Sequence, residues 1–266
     1  MNSTEPLLPA ELWRKIITEA HETADLEPIL AGYLNNALLR HNDLGSAISS
    51  QLANKLSSSS VPFKMLEKIL KPVFSNPKIL NQTVQDIEAT VDRDSACNLF
   101  SSPILYFKGF LSLQAYRGSH QLWNDGRRSM ALLLQHRASV VFAVDIHPAA
   151  TIGCGVMIDH ATGLVIGETA VIEDSVSIMQ SVTLGGTGKN SGDRHPKIKK
   201  GVLIGPGATI LGNIEVGEGA MVAASSVVLK PVRPHTIVAG VPAVEVGDAT
   251  FNAPSEAMVH DLPNTE

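Results

Sequence analysis

Between residues 145 and 184 an aliphatic side chain returns at every sixth position. Ile146, Ile152 and Ile158 set the beat, which slips by two residues at Gly163-Leu164 and resumes at Ile166, Ile172, Ile178 and Leu184. A second run takes Ile198, Ile204, Ile210, Val216, Val222 and Val228. A strand repeats every two residues and an amphipathic helix every 3.6, so neither gives a period of six; short repeats of this kind mark a parallel β-helix. Each hexad supplies a short strand with its aliphatic residue inward and a corner where glycines such as Gly153, Gly167 and Gly205 let the chain turn. Three hexads close a roughly triangular coil of about 18 residues, and stacked coils bury a column of aliphatic side chains. Buried strands of another sheet architecture stay open as an alternative, because periodicity alone does not fix topology. Between the runs lies GGTGKNSGDRHPK, residues 185–197, which breaks the beat.

The first 140 residues lack this period and show helical spacing instead, as in Leu12, Ile16, Ile17 and Ala20 after Pro9. Further helices are expected over 29–40, 44–56, 63–74 and 79–91, a strongly apolar one around 103–123, and another from 127 to about 142. The wide apolar faces of the last two predict self-association. The layout is thus α+β: a helical oligomerisation domain over 1–140, a solenoid over 141–246 carrying the 185–197 loop, and a polar, flexible tail over 247–266. A formal charge of −5 argues against a nucleic-acid binder. The apolar run at 139–144 is too short to span a bilayer and the first residues carry no signal pattern, so a cytoplasmic protein is expected. Two cysteines, Cys97 and Cys154, make no disulfide framework; Cys154 reads as a small buried thiol.

Four histidines lie in or beside the solenoid: His136, His147, His160 and His195. Packing accounts for His136, and a corner role before Pro148 for His147. His160 has Asp159 beside it and Asp145 fifteen residues earlier, near one coil period. A carboxylate one coil down could orient the ring and leave one nitrogen free as a general base, although two unrelated surface residues fit the spacing equally well. His195 stands in the loop beside Asp193 and Arg194, where a histidine is often merely solvated. GGTGK at 185–189 lacks the strand-loop-helix context of a nucleotide loop, but its glycine amides could face an oxyanion. Lys189, Lys197, Lys199 and Lys200 form a local positive cluster suited to an anionic carrier such as coenzyme A.

The segments DRDSA at 92–96, YFKGFLSLQAYR at 106–117, DIHPAA at 145–150, MIDHATG at 157–163, GETAVIE at 167–173, SVTLGGTGK at 181–189, GDRHPKI at 192–198 and VAGVPA at 238–243 resemble, in this order, bacterial and plant serine O-acetyltransferases. The resemblance is strong over residues 90–246 and looser over 9–90. It implies a left-handed β-helix, whose crossovers break the usual right-handed rule, and transfer of acetyl from acetyl-CoA to L-serine, giving O-acetyl-L-serine for cysteine synthesis, with no metal. Carried over position by position, it implies His160 as general base and Asp145 as its partner. Asp94, Asp159, Arg194 and His195 match serine-binding positions; Gly186, Thr187, Pro206 and Ala224 match cofactor-binding ones. The family often has alanine where Pro206 stands, which removes a backbone amide there.

The resemblance also implies L-cysteine as feedback inhibitor and a hexamer built as a dimer of trimers. A complex with O-acetylserine sulfhydrylase normally uses a terminal isoleucine; residues 262–266, LPNTE, offer an acidic end instead, so that complex is expected to be weak or absent. Rival readings are a hexapeptide acetyltransferase with another acceptor, a zinc hydratase using His147, His160 and His195, and a non-enzymatic scaffold.

Overall fold

A computed structural model describes residues 6–188 and 191–262. The helical part runs α1 (Pro9–Leu26), α2 (Ala31–Leu34), α3 (Leu44–Leu56), α4 (Phe63–Phe74), α5 (Pro77–Arg93), α6 (Ser102–Tyr106), α7 (Lys108–Asn124) and α8 (Arg128–Phe142). Local chemistry sets the helix starts. Pro9 and Pro77 stand at first-turn positions where no amide is needed, and the carboxylate of Asp43 accepts the Ser46 amide at 2.7 Å to cap α3. Two expected helices differ. The 29–40 stretch splits into a 3-10 turn, α2 and a π turn, and the apolar 103–123 stretch breaks at Phe107, which is extended.

The break at Phe107 lets α7 start against the solenoid. Gly109 touches it so closely that a Cβ there would lie 1.9 Å from the Ile158 carbonyl oxygen. A buried ion pair fastens the same two parts. Arg117 grips Asp86 at 2.7 and 2.8 Å and donates to the Gly153 carbonyl at 2.8 Å, while Asp86 accepts the Val156 amide at 3.2 Å. With both charges fully paired, such a network orients α5 and α7 on the first coil, and removing one partner would leave a buried charge.

The solenoid has three parallel faces. Strands β1 (Val144–Ile146), β4 (Leu164–Ile166), β7 (Thr183–Gly185), β10 (Thr209–Leu211) and β13 (Val227–Val228) form the first. The second holds β2 (Thr151–Ile152), β5 (Val171–Ile172), β8 (Lys197–Ile198) and β11 (Glu215–Val216). The third holds β3 (Met157–Ile158), β6 (Ser177–Ile178), β9 (Leu203–Ile204) and β12 (Met221–Val222), and closes with β14 (Thr236–Gly240) and the antiparallel β15 (Ala243–Asp248). The hexad residues stack in register: Ile146 on Ile166, Leu184, Ile210 and Val228; Ile152 on Ile172, Ile198 and Val216; Ile158 on Ile178, Ile204, Val222 and Val238. All are buried. This column, continuous with the helical core, is what burial stabilises.

Coil lengths carry the irregularities read from the sequence. Asp145 pairs with Val165, an offset of 20 that absorbs the two-residue slip; Val165 pairs with Thr183, an offset of 18; Val171 pairs with Lys197, an offset of 26 that absorbs the loop.

Within the stretch 247–266, expected to be a flexible tail, residues 254–258 are packed on the solenoid, whereas 259–262 are exposed. A short helix, α9 (Pro254–Ala257), packs on the coil edge with Pro254 and Ser255 buried, because Ser255 finds hydrogen-bond partners there that its composition does not advertise. The last four residues, on which the weak sulfhydrylase complex rests, lie outside the described residues, as does Lys189.

Candidate active site

Two edges of the prism carry the expected chemistry. The corners after β3, β6, β9 and β12 stack into one edge, tied by the Ser181 amide on the Thr162 carbonyl at 2.8 Å, Gly207 on Gln180 at 2.9 Å and Ser225 on Pro206 at 2.8 Å. Asp159, His160, Pro206 and Ala224 therefore belong to a single column. His160 sits in the left-handed region at φ 55°, which turns its side chain outward, 72% exposed. Its Nε2 is 3.8 Å from Asp159 Oδ2. Lys108 of α7 meets the Thr162 hydroxyl on the same corner.

Asp159 is half-buried, and loss of water pushes its carboxyl above the ordinary range; His160 opposes this, and Asp94 adds to it. Asp94 is the C-cap of α5, with Oδ1 accepting the Ala96 amide at 2.9 Å. The charge of Asp94 is thus felt at Asp159, beside an exposed imidazole. His260, from the segment beyond α9, also lies within electrostatic range of Asp159, and the sequence reading passed over it.

The second edge stacks the corners after β1 and β4 with the loop after β7. There Arg194 Nη2 donates to Glu168 Oε2 at 2.7 Å, and the Thr169 hydroxyl accepts the amides of Arg194 and His195 at 3.0 and 3.2 Å. The ring of His195 abuts Gly167, where a Cβ would fall 2.0 Å from Nε2, so a side chain at that corner would displace the ring. His195 is 7% exposed, which corrects its reading as a solvated loop residue. Its Nδ1 accepts the Thr169 amide at 3.2 Å, so the neutral ring carries its proton on Nε2. Burial, reinforced by Arg194, holds its pKa down. Glu168 and Thr169 were overlooked in the sequence, although GETAVIE contains both. Thr187, exposed, packs over the corner at Gly212, and Gly186 lies against Arg194.

Asp145 belongs to the second edge's neighbourhood, not to that of His160. Its Oδ1 accepts from Gln135 Nε2 at 2.7 Å, and its charge acts on His147 together with those of Glu168 and Arg194. Within one chain the expected His160–Asp145 contact is not made: the first coil is 20 residues long, so the residue one coil above Asp145 is Val165. His147 is a corner histidine as read, its Nδ1 accepting the Ala149 amide at 3.1 Å. His136 is exposed rather than packed. Cys154 is half-buried rather than buried; burial and Asp174, which accepts from its thiol at 3.3 Å, push it up to about 11, too high for a nucleophile at neutral pH. Among the described residues no three His, Cys, Asp or Glu side chains converge as metal ligands, and no helix is long and apolar enough to cross a membrane.

A helical domain fastened to a hexapeptide solenoid, with an exposed imidazole on one edge, defines an acyltransferase of the hexapeptide-repeat class. Two family models match: the N-terminal domain of serine acetyltransferase over residues 12–115, and six hexapeptide repeats of bacterial transferases over 195–230. The serine acetyltransferase of Salmonella typhimurium is 56% identical over 248 residues, 93% of this chain and 91% of that protein. A solved serine acetyltransferase in complex with cysteine superposes with a TM-score of 0.93 at 50% identity, covering 96% of this chain and all of that one. A serine acetyltransferase from Brucella abortus strain S19 in complex with coenzyme A gives 0.88 at 47% identity over 90% and 96% of the two chains. The chain belongs to the serine acetyltransferase family.

Proposed function

We propose that His160 is the general base of acetyl transfer from acetyl-CoA to the hydroxyl of L-serine. Its imidazole takes the hydroxyl proton while the oxygen attacks the thioester carbon. The tetrahedral oxyanion then collapses, the carbon–sulfur bond breaks, and the imidazolium returns the proton to the thiolate of coenzyme A. The amide of Gly186, just past β7 and without a side chain of its own, is suited to the oxyanion. The observation that carries this reading is the exposed imidazole of His160 with its Nε2 3.8 Å from Asp159, a carboxylate that also feels the charge of Asp94: a place for a base beside a place for an ammonium group. Arg194 supplies the fork that matches the substrate carboxylate, and His195 neighbours it.

These groups stand on two different edges of one prism, so the reading requires a second copy to bring Arg194, His195 and Asp145 against the His160 of the first. Pro206 and Ala224, in the His160 column, and Gly186 and Thr187, on the other edge, would then wall a groove for acetyl-CoA between copies. The coenzyme A complex of the Brucella abortus relative supports that co-substrate. Cysteine differs from serine by sulfur for oxygen and carries the same two charges; the cysteine complex of a relative supports it as an inhibitor in the same place.

The test is thiol release from acetyl-CoA with L-serine as acceptor. His160→Ala is expected to lower kcat by about 10²- to 10⁴-fold, the usual worth of a positioned base, with coenzyme A binding retained. Near-normal turnover would refute the assignment.

A further inference from the structure

Ser255 is fully buried in a segment of polar composition, and its contacts lead back to the candidate ammonium site. Its hydroxyl donates to the Ser175 carbonyl at 2.6 Å and its amide to that of Gly201 at 3.3 Å. Its own carbonyl accepts from the Ser177 hydroxyl at 2.8 Å. Ser177, also fully buried, accepts in turn from Arg93 Nη1 at 3.2 Å, and the same nitrogen reaches the Val176 carbonyl at 3.4 Å. Arg93 is the last residue of α5 and Asp94 its C-cap. Ser177 is in register with Met157, two residues before Asp159. A continuous chain of polar contacts therefore runs from α9 through β6 to Arg93, one residue from Asp94.

The charge of Asp94 contributes to the raised pKa of Asp159. The Ala96 amide fixes the local turn at Asp94 but not the distance between α5 and the solenoid. Arg93 ties that end of α5 to the solenoid through Ser177 and the Val176 carbonyl. Its guanidinium is largely desolvated, with Glu256 of α9 and Asp92 supplying opposing charge. We infer that Arg93, Ser177 and Ser255 form a clamp holding the Asp94 end of α5 against β6, beside the strand that leads to Asp159, so that α9 sets the affinity for the amino-acid substrate without touching it. The inference rests on Asp94 and Asp159 being the ammonium partners. These are positioning residues: holding the Asp94 end of α5 in advance removes the cost of ordering it when the cation arrives.

Steady-state kinetics on the full chain test this with Ser177→Ala, Asp94→Asn and the double variant. Ser177→Ala is expected to raise KM for L-serine by about 3- to 10-fold, the net worth of an ordinary hydrogen bond, with kcat and KM for acetyl-CoA within about twofold. On the Asp94→Asn background the same substitution is expected to add less than about 1.5-fold, because its effect passes through Asp94. Arg93→Lys, which keeps the charge and one donor, is expected to fall between; Arg93→Gln reads the same coupling should Ser177→Ala fail to fold. A lower melting temperature with an unchanged serine KM would overturn the clamp, as would equal increases for both substrates or full additivity with Asp94→Asn. If Asp94→Asn itself leaves the serine KM unchanged, the ammonium reading falls and takes the clamp with it. If Asp94→Asn raises that KM and Ser177→Ala does not, the clamp alone fails.

Discussion

Arg194 reaches the candidate site already engaged. Glu168 holds one terminal nitrogen at 2.7 Å and the Gly192 carbonyl takes the other at 3.0 Å, while Thr169 binds the Arg194 amide. The pairing depresses the Glu168 carboxyl, so the contact is charge-assisted at neutral pH. A guanidinium aimed in this way offers its remaining donors in a fixed direction, whereas a free arginine pays rotamer entropy each time it binds. Glu168→Gln keeps the shape and removes the charge. It is expected to raise KM for L-serine by about 3- to 10-fold while leaving KM for acetyl-CoA near its starting value. Initial rates across a serine series check this, and an unchanged serine KM would show that Arg194 needs no such support.

The elements that position His160 are β3 and α7, and their contact tolerates no side chain at Gly109. A Cβ there would sit 1.9 Å from the Ile158 carbonyl, two residues before His160. Gly109→Ala must therefore shift either α7 or the corner that bears the base. It is expected to cost about 1–3 kcal/mol, the range for overpacking, and to lower kcat alongside the melting temperature; thermal melts with parallel rate measurements read both, and an unaltered variant would mean the interface yields without consequence. The solenoid itself was legible from the aliphatic beat, because each of its inward residues is dictated by one repeated geometry; Ile146 to Val228 all stack as the spacing requires. Its distortions were less so. The two residues inserted at Gly163-Leu164 lengthen the first coil to 20 and put Val165 above Asp145; His160, fifteen residues after Asp145, lies on the corner after β3 whatever the coil length. Gly109, Glu168 and Ser255 escaped notice for a common reason. Each matters through a partner distant in sequence, at Ile158, Arg194 and Ser175, and no local pattern encodes such a partner.

At the scale of the whole molecule, the outer side of the first face and of α8 leaves Leu132, Val140, Val141 and Val165 exposed near Asp145, an apolar surface suited to another copy of the chain. A closed ring of copies would carry the Arg194 edge of each one to the His160 edge of the next, since a heterologous contact of this kind generates a cyclic assembly. The consequence is a complementation that no single-chain site can produce. Assayed at serine well below the raised KM of the arginine variant, His160→Ala and Arg194→Ala chains are each expected to be nearly inactive alone. Coexpressed in equal amounts, they form some interfaces in which the intact His160 of one copy meets the intact Arg194 of its neighbour. Random assembly makes about one interface in four wholly intact, so about a quarter of the native rate is expected, with light scattering confirming that mixed oligomers have the native mass. If both residues served one site within one chain, every site would carry a defect and the mixture would stay as inactive as its parents.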